Sequence, residues 1–276
     1  MRSATAVVFL GIDAFLTDRG KPLFRIEELL MELDERGIPC VWLSERSRAQ
    51  LDEPRRRLGH DAPFIAESGS GAYLPEDYFH LKAPRTRRLG RFLCIPVAEP
   101  QPAAQEALET LSEDTGISVV LLRTLTPREL VQNTGLPRHD AELCRMRDFS
   151  ELFFFAGASD ADIEKFQSEA AGRSLAVRRQ AALWSLAAGA SEATAIREVS
   201  SLYDRALRSH TRRVGITASP NAKGLGEACD RVVELRSGHS EAMPEAPHAG
   251  KMHQFQLTSP DLWSQVIAAI PSASGN

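Results

Sequence analysis

The sequence predicts an α/β protein, a parallel sheet flanked by helices, with a second, α+β unit inserted into it. Three observations carry this. The segment 7–18 is a buried apolar run, Val7 to Leu10, that ends in a polar loop. Residues 24–43 read strand-ward through a helix: Phe24, Ile26, Leu29, Leu30 and Leu33 recur at helical spacing, Gly37 stops the helix, and Ile38 to Leu43 is a second apolar run, together the βαβ unit of a parallel sheet. From about Lys82 the texture shifts to short strands and helices in alternation, the mark of an insertion.

Taken in order, Val7 to Leu10 is a strand whose loop carries Gly11, Ile12 and Asp13, and the helix over 24–34 keeps Glu27, Glu28, Glu32 and Asp34 on its outer face. Ser44 stands at the carboxyl end of the second strand, followed by Glu45, Arg46, Ser47 and Arg48 and a basic helix to Leu58. Phe64 to Ala66 is a short strand, and Glu67 to Gly71 a turn-rich loop. Residues 82–91, with Pro84, Arg85, Arg87 and Arg88, read as a linker, and 92–97 as the strand that opens the inserted unit. There the spacing predicts helices over 103–115, ended by Gly116, over a segment capped by Thr126 and Pro127, over 136–144 and over 160–171; strands fall at 117–122, 153–155, 175–178 and 183–186. The expected division is 1–82 and 188–276 for the core and 83–187 for the insertion. The core resumes with a helix from about 189 to 203, strands at 214–217 and 231–235, a loop at 237–251 and a closing amphipathic helix over 261–270.

Composition narrows the function classes. With 43% hydrophobic residues in 276 there is ample core, and a net charge of −4 gives no global attraction to nucleic acid; the clusters Arg55 to Arg57 and Arg85 to Arg91 read as solvated faces. Cys40, Cys94, Cys144 and Cys229 lie far apart with no Cys-x-x-Cys pair, and the seven histidines show no metal-ligand spacing, so neither zinc nor a disulfide framework is expected. The start of the chain lacks a leader pattern, and no run reaches the ~18 apolar residues of a membrane span. The expectation is a cytoplasmic protein with no membrane or nucleic-acid partner.

Several stretches together resemble the haloacid dehalogenase (HAD) superfamily, in particular its mannosyl-3-phosphoglycerate phosphatase group with a Cof-type cap. They are the strand and loop Val7 to Asp18, Arg36-Gly37-Ile38-Pro39, Phe64 to Gly69 with Tyr73 to Phe79, Leu130 to Leu136, Arg147 to Phe153, and Ser219-Pro220-Asn221. The resemblance runs from Val7 to about Ile270. It implies a Rossmann-like core with an inserted cap, and a site in which a first-loop carboxylate attacks phosphorus and a second, two residues on, moves the proton. A Ser or Thr and a Lys hold the phosphoryl oxygens, and last-loop carboxylates hold Mg²⁺.

Matched position by position, the nucleophile is Gly11, and Asp13 stands where the acid/base would be. Ala14 and Phe15 replace the Gly-Thr pair, and Ser44 matches the phosphate-binding hydroxyl. The lysine falls on Thr194, or on Glu192 if the register slips, and the expected metal carboxylates are Ala218 and Ala222. No Asp or Glu occurs between Asp204 and Glu227 to rescue the metal site. The expected ligand-binding set is Ser44, Asn221 and Lys223, with Lys223, Arg46 or Arg48 as substitute cations if one turns inward. Each has a bland counterpart: Asp13 as a turn or cap residue, Ser44 as an N-cap, Asn221 as a turn former, Arg147 as a surface arginine rather than a contact to a substrate anion. Glu67, Gly69 and Gly71 are expected to shape the core–cap cleft.

Three functions follow as expectations. The leading one is a pseudophosphatase that binds a protein partner or a small anionic or sugar-like ligand, without cofactor. The others are an active Mg²⁺-dependent phosphatase on a sugar phosphate or mannosyl-3-phosphoglycerate, and a different, metal-free enzyme that reuses the cleft with Asp13 as acid/base.

Overall fold

The computed structural model describes residues 6–17, 20–180, 183–218, 223–236 and 252–271. Its core elements are β1 (Ala6–Gly11), α1 (Ile26–Glu35), β2 (Cys40–Leu43), α2 (Arg48–Arg57), β3 (Phe64–Ala66), β4 (Gly71–Pro75), β5 (Arg87–Leu89) and β6 (Phe92–Pro96). The cap follows with α3 (Gln101–Thr115), β7 (Val119–Leu121), α4 (Pro127–Thr134), α5 (Arg138–Cys144), β8 (Ser150–Phe155), α6 (Asp160–Gly172), β9 (Leu175–Gln180) and β10 (Leu183–Ala188). The chain returns to the core as α7 (Glu192–Leu207), β11 (Arg212–Thr217), α8 (Lys223–Ala228), β12 (Arg231–Arg236), β13 (Met252–Gln256) and α9 (Leu262–Ala268).

The larger sheet has the order β13-β12-β11-β1-β2-β3-β4-β6-β5. It is parallel from β13 to β3 and antiparallel beyond. Because helices cover both faces, β1 is apolar at every position. Val8 and Leu10 enter the core shared with α1 and α9, whereas Val7 and Phe9 enter the one shared with α7 and α8. The sequence direction reverses at β1, which has β2 on one side and β11 on the other. Ligands in open α/β sheets sit outside the carboxyl ends of strands at such a point.

The helix ends follow from local chemistry. Gly37, at φ +65°, ends α1, with Ile38 N–H donating back to Leu33 O at 2.8 Å. Ser47 and Gln50 form a reciprocal capping box on α2, as Thr126 and Glu129 do on α4.

The boundary expected at residues 82/83 does not coincide with the sheets. β5 and β6 form a hairpin that extends the core sheet beside β4, with Tyr73 paired to Cys94 and Arg87 to Cys94 from the other side. Arg87 and Arg88, which read as part of a linker, belong to an edge strand, where charge discourages pairing with another chain. Two elements, α8 and β13 on the far edge, occupy stretches for which the pattern predicts no element. The predicted loop 237–251 lies outside the described residues.

The cap sheet is antiparallel, β7-β8-β10-β9. Phe153 and Leu186 on one face pack with Leu108 and Leu111 of α3 and Phe166 of α6. Leu152 and Leu183 pack with Leu130 of α4 and Ala141 and Cys144 of α5. Among the described residues no helix is long and apolar enough to cross a membrane.

Candidate functional site

The candidate site is the cleft at the carboxyl ends of β11, β1 and β2, roofed by the cap. β1 runs out at Gly11 and turns through a short 3-10 segment, Ile12–Phe15, which buries Ile12 and Phe15 and leaves Asp13 toward the loop after β2. Gly11 is not glycine for want of room. An added Cβ would lie 3.4 Å from Thr217 Oγ1 and 3.6 Å from Ile216 O, ordinary contact distances, and its φ of −68° suits any residue.

Asp13 is fully engaged. Its Oδ1 accepts from Ser44 Oγ at 2.7 Å and from Arg46 Nε at 3.1 Å, and its Oδ2 accepts from the Glu45 N–H at 2.7 Å. Ser44 Oγ also accepts from the Arg46 N–H at 3.0 Å, and an Arg46 terminal nitrogen donates to Thr17 O at 2.7 Å. Ser44 is therefore neither an open ligand contact nor the cap of α2, a task that falls to Ser47. Arg46 does turn inward, as a substitute cation would have to, but it turns onto Asp13.

Other predicted positions depart from expectation. Lys223, with its side chain 89% exposed, points to solvent beside Glu227 at 4.0 Å, because it opens α8 on its outer face. Arg48 pairs with Asp148 of the cap at 3.0 Å. Asn221 and Ala222 lie outside the described residues; Ala218 packs against the apolar core. At the start of α7 Thr194 is exposed and Glu192 is the residue drawn into the cleft. The Glu192 carboxyl is held above its ordinary range, by burial first, against the opposing Arg178 guanidinium and with the Asp13 charge adding to the rise. Arg178 stands 4.0 Å away. A carboxyl thus occupies the region where a phosphate-binding cation was sought.

Glu45 carried no signal in the sequence beyond its place after Ser44. Burial, then the charge of Asp13, push its carboxyl up to about 7, against the guanidiniums of Arg147 and Arg46. Its backbone joins core to cap: the Glu45 carbonyl accepts from Arg147 Nη1 at 3.0 Å and from Gln180 Nε2 at 3.4 Å. Arg147, half-buried, also donates to Ser150 Oγ and Gln180 Oε1, both at 3.1 Å, so it is a bridge rather than a surface arginine.

Two further contacts fix the cap. Ser47 Oγ donates to Leu143 O at 2.9 Å. The buried Glu67 carboxylate accepts from the N–H groups of Asp148, Phe149 and Ser150 at 2.8, 3.2 and 2.8 Å and from Ser150 Oγ at 2.6 Å. Glu67, Ser68 and Gly69 are all left-handed, at φ +51°, +55° and +89°. At Gly69 a Cβ would fall 2.3 Å from Glu192 N, and at Gly224 one would fall 2.4 Å from a Glu192 carboxyl oxygen, so both positions require glycine.

The donor set does not fit Mg²⁺. Gly11 and Ala218 offer no side-chain oxygen, and both Asp13 oxygens are taken by donors, one of them a guanidinium that repels a cation. Among the described residues there is no group of three or more His, Cys, Asp or Glu arranged to hold a metal.

No family model matches the chain. A mannosyl-3-phosphoglycerate phosphatase of Pyrococcus furiosus is 30% identical over 148 residues, 54% of this chain and 60% of that protein. A glucosyl-3-phosphoglycerate/mannosyl-3-phosphoglycerate phosphatase of Methanococcoides burtonii is 24% identical over 148 residues, 53% and 54% of the two chains. The matches therefore span only between half and three fifths of these relatives' length. Among solved structures, a HAD superfamily phosphatase from Bacteroides thetaiotaomicron superposes with a TM-score of 0.63 at 17% identity, covering 97% of this chain and 96% of its own. A HAD subclass IIB sugar phosphatase gives 0.55 at 14%, covering 86% and 89%. The chain has the HAD fold, a Rossmann-like core with an inserted cap.

Proposed function

We infer that this chain is a pseudophosphatase, a HAD-fold protein resembling mannosyl-3-phosphoglycerate phosphatase that binds a sugar-like ligand or a protein partner and does not transfer phosphoryl groups. The observation that carries the reading is the engagement of Asp13 by Ser44, Glu45 and Arg46 beside a glycine at the nucleophile position. Loss of one member of a catalytic unit typically removes on the order of 10⁴-fold or more in rate. Here the nucleophile and phosphate lysine are replaced and the metal carboxylates are alanines. The Arg46 guanidinium is directed onto Asp13 rather than into the cleft, which favours an uncharged sugar or a protein surface over a phosphate ester. Cys40, Cys94 and Cys144, buried with free thiols, agree with a reducing cytoplasm.

The test is hydrolysis of p-nitrophenyl phosphate and mannosyl-3-phosphoglycerate by the full chain with and without Mg²⁺. The expected result is no turnover above buffer. Mg²⁺-dependent turnover abolished by Asp13→Asn would overturn the reading in favour of an active phosphatase, which the similarity to curated phosphatases supports.

A further inference from the structure

The loop after β2 aims three donors at one point. Ser44 Oγ, the Glu45 N–H and Arg46 Nε lie 2.7, 2.7 and 3.1 Å from the Asp13 carboxylate. A hydroxyl, a backbone N–H and a guanidinium converging in this way bind an oxyanion, and the guanidinium makes the set charge-assisted. In this chain the oxyanion is one of its own side chains. The same loop carries the cap: residue 45 is bonded to the core through its N–H and to Arg147 and Gln180 through its carbonyl, and Ser47 Oγ reaches Leu143 O on α5.

We propose that Asp13 is a built-in occupant of this oxyanion cradle, closing it to outside phosphate or carboxylate while holding residues 44–47 in the position that latches the cap. The inference rests on the reading that Asp13 has no phosphoryl-transfer duty. Its physical basis is competition. An external anion in the cradle must displace three hydrogen bonds to a carboxylate already tethered there. It must also sit near Glu45 and Glu192, whose carboxyls already respond to the charge of Asp13. Removing the Asp13 carboxylate frees the donors and lowers the local negative charge in one step. The cap responds because residue 45, which loses the bond from its N–H to Asp13, holds Arg147 through its carbonyl.

Inorganic phosphate is titrated calorimetrically into the full-length wild type, Asp13→Ala, and the Asp13→Ala/Ser44→Ala double variant. The wild type is expected to give no binding heat. Asp13→Ala gains phosphate affinity by about tenfold or more, the scale of removing a like charge at hydrogen-bond range, and the added Ser44→Ala reduces that gain. Hydrogen exchange over residues 138–150 rises in Asp13→Ala and falls again on phosphate binding. Equal phosphate affinity in the wild type, or a folded Asp13→Ala without any gain, overturns the proposal. If Asp13→Ala does not fold, Asp13→Asn keeps the shape without the charge; it must bind phosphate more tightly than the wild type, and equality overturns the proposal. Turnover of a phosphomonoester by the wild type is read in a separate assay and counts against the pseudophosphatase reading, while the titration judges the cradle.

Discussion

Replacing Glu67 by Ala tests how the cap is held to the core. The Glu67 side chain is almost wholly buried and gives its carboxylate to three consecutive backbone N–H groups and one hydroxyl at the head of β8. Hydrogen bonds to a charged acceptor contribute about 1.5–3 kcal/mol each, and a buried donor left without a partner costs about 1–3 kcal/mol. Water entering the vacated space offsets part of this. A net loss of about 3 kcal/mol or more is expected, which for a chain of this size lowers Tm by roughly 6–12 °C. Glu67→Gln, which keeps one acceptor oxygen, should fall between alanine and wild type. Thermal unfolding gives the stability, and hydrogen exchange at residues 148–150 locates the loss. A Tm drop in Glu67→Ala of less than about 2 °C, with exchange at 148–150 unchanged, would refute the assignment of this carboxylate as the joint.

Gly11→Asp should fold, since the Cβ has room, yet give no Mg²⁺-dependent phosphatase activity, because the positions matched to the phosphate lysine and the metal carboxylates still carry neither; measurable hydrolysis would show that the nucleophile alone was missing. Glu45 has a folded-state pKa of about 7 against an ordinary 4.5, so the folded protein holds that proton more tightly than the unfolded chain. Its contribution is fully present below pH 4.5 and is lost as pH rises through about 7, a change of up to about 3 kcal/mol. Glu45→Gln should remove that part of the slope from a pH series of urea midpoints. Arg147→Ala should raise hydrogen exchange across α5 and at Gln180 with a stability loss of about 1–3 kcal/mol, since it withdraws donors from the Glu45 carbonyl, Ser150 and Gln180; unaltered exchange at these sites would remove Arg147 from the core–cap bridge.

The parallel core was legible because burial on both faces forces an unbroken apolar run, as in Val7 to Leu10, and because glycines such as Gly37 and Gly116 mark helix ends that the structure reproduces at positive φ. The hairpin Arg87–Leu89 and Phe92–Pro96 was misplaced because edge-strand arginines and linker arginines look alike until the partner strand is known. At the site, the identities at positions 11, 13, 44 and 218 could be read from loops following strands. What those side chains do could not. Whether Asp13 faces a ligand or the Ser44–Arg46 loop depends on contacts across 31 to 33 residues of sequence, which no local pattern encodes. Lys223 shows the same limit, since a lysine after a short turn reads alike whether its helix starts inward or outward.

Gly69 and Gly224 have a mechanical consequence. Each meets Glu192 at a distance that leaves no place for a Cβ, one at its backbone and the other at its side chain. The loop after β3, the first turn of α7 and the first turn of α8 are thus stacked like blocks without mortar. Residues 189–191, along which the chain leaves the cap, enter that stack directly, with Ser191 N–H donating to Gly69 O at 3.4 Å. A displacement of the cap along this return path reaches Glu192 first, and Glu192 lies against both the loop after β3 and the first turn of α8, so one residue stands between the cap's exit and two separate core elements.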